Sequence, residues 1–164
     1  MNKADAKPQT LPRGTGGSGF SPSGSVLGIM QTPVWTLQAS DPLTKAINLL
    51  GSEKARQSPV LKGDELIGVL CSCHLSELLA ASLRELANGK GLGELNRVRI
   101  EEVVAGGAVS IGPYHSIVAA AQVLLERRSC ALPVVDQRRV VGLVTQGDLL
   151  RALIDRVKEL EARL

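Results

Sequence analysis

The chain alternates between two spacings of apolar residues, and each change of spacing predicts a change of secondary structure. Between residues 43 and 50 the apolar positions recur every three or four residues, which indicates a helix. The Ser40-Asp41-Pro42 segment before them is typical of a helix start with a capping side chain. Short apolar runs at 59–61 and 66–71, separated by a polar turn, predict two paired strands.

The remaining elements follow from the same two patterns. An apolar run at 33–37 predicts the first strand, and a helix is predicted from about 72 to 87. The second half of the chain then repeats this order of elements. There the pattern predicts strands at 108–111, 132–135 and 140–145, and helices at 116–127 and from about 147 to the end.

The two halves of the chain align with each other without a gap. Residues 56–79 match residues 130–153, so that Gly68 falls on Gly142 at an offset of 74 residues. The alignment extends backwards into the first helix, where Leu50 falls on Leu124. A repeat over this length predicts two copies of one structural unit. Chemistry that one copy has and the other lacks can therefore be read from the chain itself.

Composition limits the classes of function. Apolar residues make up 44% of the chain and aromatic residues 2%, so the predicted core is aliphatic. The net charge is +3 and no basic run is interleaved with aromatics, so nucleic acid is not an expected partner. No apolar stretch reaches the roughly 18 residues of a membrane span. The N-terminus lacks the apolar region of a secretory signal, so we expect neither membrane insertion nor secretion.

The cysteines and the N-terminal composition add two expectations. The three cysteines, Cys71, Cys73 and Cys130, are odd in number and irregular in spacing, which argues against a secreted disulfide scaffold. A reducing cytoplasm is the predicted compartment. Residues 1–24 are rich in Gly, Pro, Ser and Lys and have no apolar periodicity, which predicts a disordered tail.

One motif resembles a known family. The sequence ALPVVD at 131–136, followed by VGLVTQGDLL at 141–150, is similar to the core signature of the cystathionine-beta-synthase (CBS) domain. Two such copies in tandem resemble a CBS pair, also called a Bateman module. The sequence IMQTPVWTL at 29–37 resembles the usual first segment of that family. The resemblance extends over about residues 26–155, nearly all of the chain that we expect to be ordered.

The resemblance implies a fold and a role. Each repeat is expected to run strand, helix, strand, strand, helix, in an α/β (α+β) fold with the two repeats packed in pseudo-twofold symmetry. Members of the family often bind adenine nucleotides between the repeats, act as regulatory modules, and pair as homodimers. On this chain the expected divisions are a tail (1–24), a first repeat (25–87), a linker (88–97), a second repeat (98–155) and a helical extension (156–164).

Thr145 and Asp148 form the first candidate site. Their spacing, where a strand ends and a helix opens, is that of a capping box, which has a purely structural interpretation. The same geometry suits a nucleotide, because a helix N-terminus attracts phosphate and a carboxylate accepts from both ribose hydroxyls. The resemblance implies these functional roles, with the Thr145 hydroxyl on a phosphate and the Asp148 carboxylate on the ribose.

The resemblance also implies that the site draws on both repeats. Trp35 either stacks on the base or fills the pocket. The other residues expected around the ligand are Met30, Val34, Ala55, Arg56, Gln57, Ser58 and Val144.

The twin position, where the first repeat aligns with Thr145 and Asp148, carries different residues. Cys71 stands where the second repeat has Thr145, and His74 where it has Asp148. Because histidine cannot replace a carboxylate as the acceptor for a diol, this second site is expected to bind nucleotide weakly or not at all. Its opposite wall is expected to consist of Val104, Ala108, Val109, Ser129, Cys130 and Ala131. Three interpretations of Cys71, His74 and Cys130 stay open: free buried thiols, a metal or haem site, and a redox-responsive thiol pair.

The sequence thus predicts a stand-alone regulatory CBS pair that is not an enzyme and requires no cofactor. Its expected ligand is AMP, ADP, ATP or a related adenosyl compound, and its signal a conformational or oligomeric change read by a regulated protein. One alternative is a dimerisation module without ligand, in which the seam Leu153, Val157, Leu160 and Leu164 pairs two chains instead of packing on its own domain. The other is a metal or redox sensor. His115 is expected to be a surface residue at a helix start.

Overall fold

A computed structural model gives the structure of residues 24–52, 55–86, 95–104 and 107–163. The chain divides into two compact units. The first unit spans Trp35–Ala108. The second unit combines residues 24–34 with residues 109–163. The N-terminal segment therefore packs with the second half of the chain and not with the residues that follow it.

The first unit is built around a three-stranded sheet. Strand β1 pairs parallel with β2, and β2 pairs antiparallel with β3, in the order β1-β2-β3. Gly63 has a φ of +63° in the turn between β2 and β3, a conformation that glycine adopts without steric cost. The elements are β1 (Leu37–Gln38), α1 (Leu43–Leu50), β2 (Gln57–Lys62), β3 (Glu65–Cys71), α2 (Ser72–Leu86) and α3 (Ile100–Val103).

The second unit repeats part of this plan. In the described residues its sheet has two strands, β4 and β5, which pair antiparallel. A single parallel bridge from Ile111 to Val134 stands where β1 pairs in the first unit, and an antiparallel bridge joins Gln31 to Leu143. The elements are α4 (Ile117–Arg127), β4 (Ala131–Asp136), β5 (Arg139–Thr145) and α5 (Gln146–Glu161), with a short 3₁₀ turn at Val26–Gly28.

Each unit has its own aliphatic core, as the composition predicts. Burying these side chains supplies the main favourable term for folding each unit. The first core contains Leu37, Leu43, Ala46, Val60, Leu70 and Ile100, all buried. The second contains Val26, Ile111, Ala120, Leu124, Leu132 and Val144.

The predicted helices and paired strands are confirmed to within about two residues, except that α5 ends at Glu161 and not at the end of the chain. The first strand of each copy is not confirmed. The strand predicted at 33–37 is wrong, since β1 comprises Leu37 and Gln38 alone. The strand predicted at 108–111 is also wrong, because Ile111 alone forms a bridge. Pro33, the first residue of the earlier segment, has no N–H to donate to a strand ladder.

The start of α1 lies where the sequence predicts, but its cap differs. The residue before the helix is Pro42, which makes no side-chain capping bond. The Asp41 carboxylate instead accepts from the backbone N–H of Gln38 (2.8 Å) and the ammonium of Lys45 (2.8 Å). Asp41 thus ties the end of β1 to the first turn of α1.

Two of the predicted divisions fall largely outside the described residues. These are the tail at 1–24, of which Gly24 alone is described, and the linker at 88–97 as far as residue 94. Among the helices in the described ranges, none is both long enough and apolar enough to cross a membrane.

Candidate functional site

Thr145 and Asp148 form a complete capping box at the start of α5. The Thr145 hydroxyl oxygen accepts from the Asp148 backbone N–H (3.3 Å). In return, Asp148 Oδ2 accepts from the Thr145 backbone N–H (2.8 Å) and from the Thr145 hydroxyl (2.7 Å). The buried strand β5 ends at Thr145, and α5 begins at the next residue. The capping arrangement predicted from the sequence is confirmed.

The Asp148 carboxylate is buried and fully hydrogen bonded. Its side chain is 7% exposed. Besides the two bonds from Thr145, it accepts from Gln31 Nε2, which lies 3.1 Å from Oδ1 and 2.9 Å from Oδ2. Arg151 Nη1 lies 3.5 Å from Oδ1. A buried carboxylate is stable only when donors replace its lost hydration, and these groups supply them.

Gln31 is the residue of this site that sequence analysis missed. Its backbone N–H donates to the Leu143 carbonyl (2.8 Å), and the Leu143 N–H donates back to the Gln31 carbonyl (3.1 Å). This bridge fixes Gln31 beside β5, within reach of Asp148. The internal repeat gave no signal for it, because the residue 74 positions later is Ala105.

Met30 and Val34 were expected to come from the first repeat, but they belong to the same unit as Asp148. Val34 is buried. Met30 packs over Gly142, where an added Cβ would lie 3.0 Å from Met30 Cγ. Glycine on β5 therefore makes room for the methionine of the N-terminal segment, which in turn holds Gln31 in place. Val144 is also buried and lies on β5 next to Thr145.

The other residues predicted around the ligand lie in the first unit. Trp35 is half-buried, and its carbonyl accepts from the hydroxyl of the buried Ser58 (2.8 Å). Gln57 opens β2, and Arg56 is exposed directly before it. Ala55 packs against the core of this unit. The structure brings Trp35 and Ser58 together, and the stacking of Trp35 on a base stays a prediction.

The twin position in the first unit keeps the cap but loses the carboxylate. Cys71 is buried at the end of β3, and its sulfur accepts from the His74 backbone N–H (3.4 Å), as Thr145 does from Asp148. His74 is exposed. The first unit therefore offers no acidic acceptor where the second unit has one.

The state of the cysteines corrects one interpretation. Cys71 and Cys73 are joined by a disulfide, with their Cα atoms 5.4 Å apart, so they are not free buried thiols. Helix α2 begins at Ser72, so the disulfide joins the end of β3 to the first turn of that helix. Cysteines bonded in this way offer no thiolate to a metal, so the metal interpretation loses Cys71 in this state.

Of the remaining candidates, Val104 packs against the first core and Ala108 is exposed at the end of the first unit, and the others lie in the second unit. Cys130 is a free, half-buried cysteine, and burial raises the pKa of its thiol. Ser129 donates its hydroxyl to the Ala131 carbonyl (2.7 Å). Val109 packs against the second core. His115 is exposed just before α4, which confirms its predicted place at a helix start.

Comparison with known proteins identifies the family. A family model of the CBS domain matches residues 26–81 and again residues 100–155. The chain belongs to the CBS domain family. This CBS protein is 29% identical over 125 residues to the CBS domain-containing protein YhcV of Bacillus subtilis. The alignment covers 76% of this chain and 82% of YhcV.

Solved structures share the fold. The crystal structure of CBSX2 in complex with AMP superposes with a TM-score of 0.62 at 23% identity, covering 80% of this CBS protein and 96% of CBSX2. The CBS domain pair of protein MJ0100 in complex with 5'-methylthioadenosine and S-adenosyl-L-methionine gives a TM-score of 0.66 at 22% identity, with coverage of 80% and 97%. The mixed α and β fold with two CBS repeats, predicted from the sequence, is thereby confirmed.

Proposed function

We propose that the protein is a regulatory CBS pair that binds an adenine nucleotide or a related adenosyl compound through Thr145 and Asp148. The observation that carries the proposal is a buried carboxylate in the first turn of α5, in a chain whose fold is shared by a structure solved in complex with AMP. The proposal assigns no catalytic residue and no required cofactor. It places the protein in the cytoplasm, with a regulated protein as the receiver of its signal.

The two ends of a nucleotide match different groups of the site. The N–H groups in the first turn of α5 and the helix dipole favour a phosphate. The Asp148 carboxylate suits the ribose, because an ionised carboxylate accepts from two hydroxyls at once. The Thr145 hydroxyl donates to Asp148, so its proposed bond to a phosphate requires the hydroxyl hydrogen to turn away from the carboxylate.

The two copies differ in what they offer a ribose. The first unit has His74 at the position of Asp148, and this side chain is exposed and carries no carboxylate. A neutral imidazole has one acceptor nitrogen and cannot receive both hydroxyls of a diol. We therefore expect one adenosyl ligand per chain.

Calorimetric titration with AMP, ADP, ATP and S-adenosyl-L-methionine tests the proposal. We expect saturable binding of one of them near one site per chain. The substitution Asp148→Ala removes the ribose acceptor and should weaken that binding about 10–150-fold, the value of one or two charge-assisted hydrogen bonds. His74→Ala, the matched change in the other copy, should leave the affinity unchanged. Binding that survives Asp148→Ala, or the absence of binding by every ligand, would contradict the proposal.

A redox sensor is the second candidate, and the Cys71–Cys73 disulfide favours it. In the proposed reaction the two thiols give two electrons and two protons to a disulfide oxidant such as oxidised glutathione. One intramolecular disulfide forms, and two glutathione thiols are released. The bond ties the last residue of β3 to the first turn of α2, so its state is expected to change the stability of that helix start.

Thiol labelling followed by mass spectrometry tests this candidate. After treatment with oxidised glutathione, the unfolded protein should take up one maleimide, on Cys130, and after reduction it should take up three, since the chain has three cysteines. Cys73→Ser should abolish the difference between the two treatments, apart from mixed disulfides with glutathione, which mass identifies. Three labels after oxidation of the wild-type protein would exclude the sensor.

A further inference from the structure

We propose that Gln31 is an internal competitor for the ribose hydroxyls: its side-chain amide occupies Asp148 in the ligand-free protein and must leave when a ribose binds. This inference rests on the proposed function, because it concerns the same carboxylate. It assigns Gln31 the role of setting affinity and selectivity for a vicinal diol.

The Asp148 carboxylate can accept only a few hydrogen bonds at once. A carboxylate offers about four lone-pair positions. On Oδ2, two are taken by the backbone N–H and the hydroxyl of Thr145. These bonds form the cap of α5 and persist as long as the helix begins there. A ribose must therefore use the positions that face Gln31, chiefly those of Oδ1.

The donors around those positions are Gln31 and Arg151. Gln31 Nε2 lies 3.1 Å from Oδ1 and 2.9 Å from Oδ2, so it occupies the side of the carboxylate that Thr145 leaves free. Arg151 Nη1 is 3.5 Å from Oδ1, and its side chain is 79% exposed, so solvent screens this contact. Gln31 is the closer of these two donors, and a diol would have to replace it.

The structure allows this exchange with little movement. Gln31 is exposed, whereas its backbone is held by the paired hydrogen bonds with Leu143. Rotation of its side-chain torsions alone frees the carboxylate, and the amide regains hydrogen bonds to water. The N-terminal segment stays on β5 throughout. The competitor is uncharged, so its departure leaves no unpaired charge behind.

The consequence is that a ligand must displace the Gln31 amide before it can bind the Asp148 carboxylate. An adenosyl compound with both ribose hydroxyls must displace the Gln31 amide to reach Asp148, whereas one without the diol leaves the amide in place. Removing the amide should therefore improve binding of the diol-bearing ligand. The loss of a residue that only positioned Asp148 would have the opposite effect, because it would weaken the binding of the ligand.

The test compares Gln31→Met with Gln122→Met by calorimetry. Methionine retains the unbranched length of glutamine and removes the donor. Gln122 is exposed on α4 and provides the same change outside the site. Each variant is titrated with AMP and with 2',3'-dideoxyadenosine monophosphate, which lacks the diol. We expect Gln31→Met to tighten AMP binding about 3- to 10-fold. This gain is smaller than the full value of one hydrogen bond to a charged group, because water partly replaces the amide. Gln122→Met should have no effect.

The outcomes separate this inference from the proposed function. Suppose that the wild-type protein binds AMP and that Asp148→Ala weakens this binding. If Gln31→Met then leaves the affinity for AMP unchanged or lowers it, the competitor role is wrong and the nucleotide site stands. Equal tightening of AMP and the dideoxy analogue would likewise overturn it, because the gain would not come from the diol. If neither the wild-type protein nor Gln31→Met binds AMP, ADP, ATP or S-adenosyl-L-methionine, both proposals fail.

Nuclear magnetic resonance gives a second readout that does not depend on affinity. The Gln31 side-chain amide signal, assigned from its loss in Gln31→Met, should be shifted in the ligand-free protein and should return towards the position of a hydrated amide in Asp148→Ala. Saturating AMP should move the wild-type signal in the same direction. A signal that AMP leaves in place while it binds would overturn the inference.

Discussion

At the scale of single residues, the side chain with the most roles is Thr145. Its hydroxyl accepts from the first turn of α5 and donates to the carboxylate that the proposed function assigns to the ribose. Stability and binding are therefore coupled through one oxygen atom. The same hydroxyl satisfies a backbone N–H and contributes to the solvation of a buried charge.

This double role predicts that Thr145→Val is more costly than the loss of an ordinary cap. Valine retains the shape of threonine but removes the acceptor for Asp148 N–H and the donor for Oδ2. We expect a loss of about 2–3 kcal/mol, combining a cap with a hydrogen bond to a charge. Ser116→Ala is the matched control, because Ser116 caps α4 by accepting from Ala119 N–H (3.0 Å) and should cost about 1 kcal/mol. Urea unfolding measures both, and equal losses would show that the bond to Asp148 adds no stability.

At the scale of elements, α5 differs from the rest of the second unit. Its first turn is anchored by Asp148, and Leu149 packs against the core. Further along, its apolar side chains are exposed, with Leu153 at 59% and Val157 at 43%. The alternative in which this seam packs on its own unit is thus wrong for Leu153, Val157 and Leu160, whereas Leu164 lies outside the described residues. A contiguous exposed apolar stripe is typical of an interaction surface.

We therefore propose that α5 pairs two copies of the chain, as the homodimer hypothesis states. The stripe is flanked by charges of both signs, such as Arg156 and Glu159, which an antiparallel pair of identical helices can match. Leu153→Gln should shift the protein from dimer to monomer in sedimentation equilibrium at low micromolar concentration. Lys158→Gln, an exposed change beside the stripe, should not. A wild-type protein that sediments as a monomer at every concentration would contradict the pairing.

At the scale of the whole molecule, the repeat made most of the fold predictable. Because the two copies align in one register, α1, α4 and the hairpins β2–β3 and β4–β5 could be located from the sequence. Helical and strand spacings of buried residues are local properties of the sequence. The first strands were not predictable in this way. Their extent depends on which neighbouring strand offers a free edge, which is a property of the tertiary packing and not of the local spacing.

The candidate site was predictable to a similar degree. Thr145 and Asp148 could be identified because a cap has a fixed local spacing. Gln31 could not, since its contact with Asp148 spans 117 residues and arises from the packing of the N-terminal segment. The Cys71–Cys73 disulfide was missed for a different reason, as the spacing alone does not determine whether the first turn of a helix brings two sulfurs together.

The packing of residues 24–34 with the second unit also affects how the gene could be dissected. A cut between the repeats would separate Val26 from the core it fills and Gln31 from the strand that holds it. The carboxy-terminal fragment would keep Asp148 but lose two of its hydrogen bonds. A faithful isolated second unit would instead need a fused gene, in which the codons for 24–34 are joined by a short linker to those for 109–163.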